Sequence, residues 1–415
     1  MWTLLVWIAC APDGTHSAAE PPAREPVALL SGAEPNIVTE SFDGLGDDPA
    51  GWIFSRDIVH HVEITLDDEN YQALDDNPFQ YAKASITYDG LEVGDVGLRL
   101  RGAIGSFREI WDKPKFKIEF DWITPGREFY GLEELALNSS VADCTYLKEA
   151  AAYRVFEVAG IAVPRLAFTR VTLNGLDYGL YQVVETEDEN WLKRNFADPS
   201  GNLYDGKYIW YGGWSYTLLD FSPSVHDQYI LEEGIDVGHA DVHAVSDAYA
   251  AGAYTPDFMT LTDPVVDWDH WHRFLAVEEF IGHNDGYALN QNNNRIWFDP
   301  ADGKVEIYAW DLDNTFLWDW MWGMSWSNPR GYLSAGCWAD PTCAADQADA
   351  VANLIEDMAA EDMESYLQEL HDLTYDDAVT DPKLWWCNAA VLTGRQDLID
   401  WFDEHPPTLV SHWGL

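Results

Sequence analysis

Regular alternation of apolar and polar residues begins near residue 58. The run HVEITLD (61–67) alternates with period two and predicts a strand, since successive side chains of an extended chain face opposite sides. A short polar helix to Asn77 follows, then strands at Ala82–Tyr88 and 93–101. The spacing changes in TYLKEAAAYRVFEVA (145–159), where apolar residues recur every three to four positions. That predicts a helix ending at Gly160, a residue suited to the left-handed turn after a helix. VPRLAFTRVTLNGLDYGLYQVVE (163–185) reads as two strands joined at Asn174-Gly175, a strong hairpin signal, with Glu185 closing the second. DENWLKRNF (188–196) starts a helix, and 200–225 is a loop rich in Gly, Tyr and Trp. Asp267 is placed to cap a helix over DWDHWHRFLAVEEFIGH, burying Trp268, Trp271, Phe274, Leu275 and Ile281. After Asn294 a hairpin turning at Asp302-Gly303 returns the chain to Trp310, and about 340–415 is mostly acidic helix. The pattern predicts a mixed α+β protein without internal repeats.

Charge narrows the partners. The net charge is −49 with a pI near 4.2, which excludes nucleic acid, since phosphate backbones demand Lys and Arg. It equally excludes attraction to an anionic membrane by charge. Residues 11–50 are rich in Pro, Ala, Glu, Asp and Gly and read as a disordered tether. Before it, MWTLLVWIAC (1–10) resembles a bacterial lipoprotein signal with Cys10 as the lipidated residue, although no Lys or Arg precedes the apolar run. A lipid anchor there would be the protein's link to a membrane, because no run is long and apolar enough to span one. The expected location is therefore extracytoplasmic, on the cell envelope or surface. The other cysteines are even in number and suit an oxidising compartment. Cys337 and Cys343 close a tight loop and are the expected pair, leaving Cys144 and Cys387 as candidates for a second.

Two stretches carry candidate chemistry. In 283–316, Asp285 precedes Asn290 in HNDGYALNQNNN, and Asp311 and Asp313 follow a strand in AWDLDNTF. An acid, an amide five residues on and acids beyond a hairpin form a donor set for Mg²⁺, which takes carboxylates and phosphate oxygens. The second stretch concentrates scarce basic residues: Arg99, Arg101, Arg108, Lys113, Lys115, Lys117 and Arg127, beside Gly102, Gly105 and Ser106. Glycines there let backbone N–H groups approach an anion. His239 and His243 stand four apart on a predicted helix, a zinc-compatible spacing, but with no third ligand apparent in the sequence they read as a solvated pair. Trp310, Trp318, Trp320, Trp322 and Trp326 read as an apolar lid.

Taken in order, LRGAIGSFR, DKPKFKIEF, LKEAAAYRVFEVAG, VTLNGLDYGLYQVVET, GNLYDG, HNDGYALNQNN and AWDLDNTF resemble the signature blocks of the CotH kinase family, named for spore coat protein H. The resemblance covers roughly 58–330. It implies an atypical protein-kinase-like fold, with an N-terminal β-rich lobe (51–190), a C-terminal mainly helical lobe (191–415) and an ATP/metal cleft between them. It also implies ATP with Mg²⁺ or Mn²⁺ as cofactors and a Ser or Thr on a surface or coat protein as acceptor. Residue by residue, Asp285 matches the catalytic acid, and Asn290 and Asp311 the metal ligands, with Asp313 as a helper. Lys117 or Lys113 would bind phosphate, with Arg101 and Ser106 beside it, Glu149 as the lysine's ion-pair partner and Glu185 at the hinge. Strand alternation puts Lys113, Lys115 and Lys117 on one face. Lys117 is favoured as the deepest in the apolar strand. An ordinary kinase's G-x-G-x-x-G loop and A-P-E motif are missing. The competing expectations are a catalytically silent surface or adhesion protein and a carbohydrate-active enzyme with paired carboxylates.

Overall fold

The computed structural model describes residues 48–212, 215–317 and 325–415. The signal at 1–10, nearly all of the tether, and Trp318, Trp320 and Trp322 lie outside the described residues. Ala50, assigned to the tether by composition, is packed and 3% exposed.

The chain opens with β1 (His60–Thr65), α1 (Asp68–Asp76), β2 (Ala82–Tyr88), β3 (Leu91–Arg101), β4 (Lys115–Glu119) and β5 (Glu134–Asn138). Next come α2 (Lys148–Val158), β6 (Leu166–Leu173) and β7 (Leu176–Val184). The strands close into a barrel of order β1-β2-β3-β4-β5-β7-β6. Every pairing is antiparallel except the closing one, where β1 lies parallel to β6 with Val62 opposite Val171. Alternation explains the interior: Val62, Ile64, Ile86, Leu98, Leu100, Phe116, Ile118 and Val183 are all buried there. The β6–β7 turn has Asn174 at φ 50° and Gly175 at φ 77°, as the Asn-Gly signal requires. Closure of the sheet was not an expectation of the sequence.

Downstream lie α3 (Glu189–Asn195), β8 (Asn202–Asp205), β9 (Ile209–Gly212), β10 (Ser215–Thr217), β11 (Ile230–Glu233), α4 (Ala240–Gly252) and α5 (Phe258–Thr262). They are followed by α6 (Trp268–Phe280), α7 (Tyr287–Asn290), β12 (Asn294–Phe298) and β13 (Val305–Ala309). Five helices finish the chain: α8 (Tyr332–Ala339), α9 (Pro341–Ala360), α10 (Met363–Val379), α11 (Val391–Glu404) and α12 (Pro406–Trp413). A second sheet has the order β11-β8-β12-β13. Asp267 caps α6 by accepting from His270 N, and the helix buries Trp271, Phe274 and Val277. Phe274 meets Phe156 of α2, joining the two helices in the larger apolar core. Disulfides link Cys337 to Cys343 and Cys144 to Cys387. No helix among the described residues is long and apolar enough to cross a membrane.

Candidate active site

The β12–β13 hairpin brings the two acidic segments together. Asn294 pairs with Ala309, so the residues flanking the hairpin meet at its open end. Trp310 N donates to Asn293 O at 3.1 Å, and Asn293 Nδ2 lies 3.3 Å from Asp311 O. Asn293 and Asp311 both adopt left-handed backbone, with φ 49° and 52°. Asp285 sits between α6 and α7 inside a cage of amides. It accepts from Asn290 at 2.6 Å and Asn292 at 3.3 Å on Oδ1, and from Asn293 at 3.1 Å on Oδ2. Burial raises its pKa, opposed by those amides and by His283. The glycine of HNDG is required by close approach: a Cβ at Gly286 would stand 1.9 Å from Glu278 Oε1 and 2.4 Å from His283 Nδ1. Glu278 in turn accepts the backbone N–H groups of Tyr287 and Ala288, both at 2.8 Å, fixing the start of α7.

Across from this loop, Lys115 at the start of β4 points its Nζ at Asp311 (2.7 and 3.0 Å) and Asp313 (3.0 Å). Burial works against its charge, but the two carboxylates outweigh it and raise its pKa. Asp311 is lowered: burial opposes ionisation, and Lys115 followed by Arg101 overcomes it. Asp313 is pushed up to about 6 by burial and by the charge on Asp311. Arg101 pairs with Lys115 across the β3–β4 ladder and lies over the Trp310 ring at 4.9 Å. Arg295 is 5.2 Å from the same ring, so Trp310 meets two cations.

Several expectations about basic and acidic partners are corrected. Lys117 shares a face of β4 with Lys115 but is the shallower of the two, and its Nζ pairs with Glu134. The reason is position along the strand: the 311–313 turn packs at Lys115, whereas Lys117 lies opposite Arg99 and Ala136 within the sheet. Lys113 precedes the strand and turns elsewhere, donating to Leu180 O at 2.7 Å and to Asp381. Ser106 is spent on its own turn, with its Oγ near Ala103 N at 3.4 Å. Glu185 is clamped by Arg165 and Arg194, both at 2.6 Å, and is not brought to the acid cluster.

Glu149 is brought close, but its contacts are polar rather than ionic. It accepts from Asn138 at 3.0 Å and from Tyr153 at 3.3 Å. Burial, then the charge of Asp311, pushes its pKa up to about 7. In the metal-free protein the folded state therefore binds more protons than the unfolded chain between pH 4.5 and 7, and stability falls as pH rises through that window. Glu149→Gln keeps an acceptor and removes the charge. In EDTA it is expected to be more stable than wild type by on the order of 1–3 kcal/mol at pH 8, and by much less at pH 4.5, in urea unfolding. An equal gain at both pH values would refute the ionisation argument.

Four contributors lay outside the sequence reading. Tyr208 N donates to Asn292 Oδ1 at 3.1 Å, while its hydroxyl accepts Ile104 N at 3.2 Å. It thereby ties the 102–107 loop to the Asp285 loop. Asn138 joins Arg101 to Glu149, and Asn292 and Asn293 complete the amide cage. The NQNNN run was a visible signal for the cage, and nothing local marks Tyr208 or Asn138. A surface cavity of about 900 Å³ is lined by Asp263, Asp267, His272, Asp346 and Asp349 among others and by none of the residues of the cluster.

Fold and site together define a mixed α+β protein in which a barrel strand and a helix–hairpin unit enclose a buried acid–amide–lysine cluster. The chain belongs to the CotH kinase protein family, whose model matches residues 98–405. Among curated relatives it is similar to inner spore coat protein H of Bacillus subtilis, 24% identical over 54% of this chain and 59% of the relative. It is also similar to invasin CotH2 of Rhizopus delemar, 22% identical over 48% of this chain and 35% of the relative. The chain thus spans less than two thirds of either relative.

Proposed function

We propose that the protein is a divalent-metal-dependent protein kinase that transfers the γ-phosphoryl group of ATP to a Ser or Thr hydroxyl of a surface or coat protein. The observation that carries this reading is Lys115 Nζ bridging Asp311 at 2.7 Å and Asp313 at 3.0 Å in a partly buried cluster facing Asp285. On this reading 51–190 and 191–415 act as β-rich and helical lobes with the nucleotide between them. The cluster fits a cation. Asp285, Asp311, Asp313 and Glu149 outnumber Lys115 and Arg101, and the charge on Asp311 already raises its acidic neighbours.

Asp311, Asp313 and Asn290 Oδ1 would hold Mg²⁺ or Mn²⁺, an oxygen set suited to a hard ion. When bound, the ion supplies charge neutralisation for the β- and γ-phosphates. Lys115 and Arg101 counter the charge that grows on the phosphates. Asp285, held by its three amides, orients the acceptor hydroxyl and takes its proton as the new O–P bond forms and ADP leaves. The disulfides suit an oxidising compartment, which supports a surface location; on this reading Cys10 would be the lipid anchor.

Incubation with labelled ATP and Mg²⁺ or Mn²⁺ is expected to label the chain or an added Ser/Thr-rich protein. Asp311→Ala should slow that transfer at least about 100-fold. Absence of transfer with either ion, or full transfer by Asp311→Ala, refutes the reading. The exposed Trp111, Trp385 and Trp386 favour the alternative, a surface protein without transferase activity. It predicts no heat on titration with ATP and metal, and partner binding indifferent to Asp285→Asn.

A further inference from the structure

His239 and His243 are not the zinc-type pair that their spacing suggested. His239 is the residue preceding α4, in left-handed conformation (φ 59°, ψ 23°), and its Nε2 is 2.8 Å from Tyr229 O. The partners of His243 come instead from the 3₁₀ turn His226–Gln228. His243 Nε2 lies 2.5 Å from Asp227 Oδ1, and the His226 and His243 rings are 4.1 Å apart at 33°. One nitrogen of each histidine and one Asp227 oxygen all fall within 4.8 Å of one another. His226 Nδ1 is buried with no hydrogen-bond partner among the described residues.

We propose that His226, Asp227 and His243 form a binding site for a divalent first-row transition ion, Zn²⁺ in the first instance, with solvent completing the coordination. Two imidazoles and a carboxylate are a borderline donor set that Zn²⁺, Co²⁺ and Ni²⁺ accept readily, whereas Mg²⁺ and Ca²⁺ take oxygens. Around a tetrahedral Zn²⁺ the ligand atoms stand roughly 3.3 Å apart, from bond lengths near 2.0–2.1 Å. The ion would enter by separating His243 from Asp227 and drawing in His226, movements open to side chains at a partly exposed site. Its structural effect would be to clamp the 226–228 turn onto α4. The segment leading into that turn starts from Asp220, which accepts from Gln291 at 2.6 Å and Tyr287 at 3.0 Å in the Asp285 loop. The clamp would thus brace a support of the candidate active site while remaining chemically separate from it.

The test is calorimetric titration of the untagged full chain with ZnCl₂ in millimolar Mg²⁺, which occupies hard-oxygen sites. One equivalent should bind with micromolar or tighter affinity, unchanged in Asp311→Ala and at least about tenfold weaker in Asp227→Asn and His243→Ala. Asp227 is 67% exposed, so its substitution is compatible with folding even where that of His243 is not. Zn²⁺ should also raise the melting temperature of wild type and not of Asp227→Asn. Absence of stoichiometric binding, wild-type affinity in Asp227→Asn, or loss in Asp311→Ala instead would overturn the assignment.

Discussion

Lys115→Met is expected to slow phosphoryl transfer by about 10²–10³-fold, the scale for removing a preorganised charge from a reaction centre. Lys117→Met should leave the rate nearly unchanged. The contrast follows from environment. Lys115 is 1% exposed and reaches both acids of the 311–313 turn, while Lys117 is partly exposed and paired with Glu134. An ion pair of the second kind contributes about 0–1 kcal/mol and no charge at the cluster. Removing Lys115 also leaves Asp311 and Asp313 facing each other without their shared cation, so near-UV circular dichroism in Mg²⁺ must accompany the kinetics. Equal losses in the two variants, or a larger loss for Lys117→Met, would move the phosphate-binding role away from Lys115.

Asp381→Ala should be strongly destabilising, at about 3–5 kcal/mol in urea unfolding. Asp381 lies just after α10 and is fully buried. Its Oδ2 accepts from Leu180 N at 2.9 Å, from Tyr146 OH at 3.0 Å and from Lys113, and its Oδ1 accepts from Lys383 N at 2.8 Å and Leu384 N at 3.0 Å. One side chain thus ties barrel strand β7 to the C-terminal helices. Gly179 permits it, since a Cβ there would stand 2.2 Å from Asp381 Oδ2, at a φ of 84°. Burial outweighs the pull of Asp381 and lowers Lys113 to about 8, so removing the acid leaves a buried lysine that must carry an unpaired charge or give up its proton. Because burial dominates, the pair is not a strong net stabiliser. Lys113→Met combined with Asp381→Leu should recover much of the loss. A cost below about 1 kcal/mol for Asp381→Ala would show that water reaches Lys113.

Local signals in the sequence were sufficient for many elements, but not for 200–225, which reads as a loop and contains β8, β9 and β10. Asn174-Gly175 marked the β6–β7 turn, Asp267 the start of α6, Gly160 the end of α2, and Asp302-Gly303 the hairpin between the two acidic segments. The short-range chemistry of turns and caps decides such features, and it is written in adjacent residues. The hairpin also made the meeting of the Asp285 and Asp311 segments legible, because its register returns the chain to where it left. What pairs across long separations was not legible. Closure of the barrel rests on β1 lying parallel to β6, more than a hundred residues apart in sequence. Lys115 and Lys117 share a face of one strand, and only the landing place of the 311–313 turn separates them. Lys113 met Asp381, and His243 met His226 and Asp227, through packing of elements that carry no local mark of each other. The sequence by itself determined the elements that carry local turn and cap signals, and the two chemical segments; the tertiary structure decided which charged side chains face each other, because burial and register, not spacing, select an ion's partner.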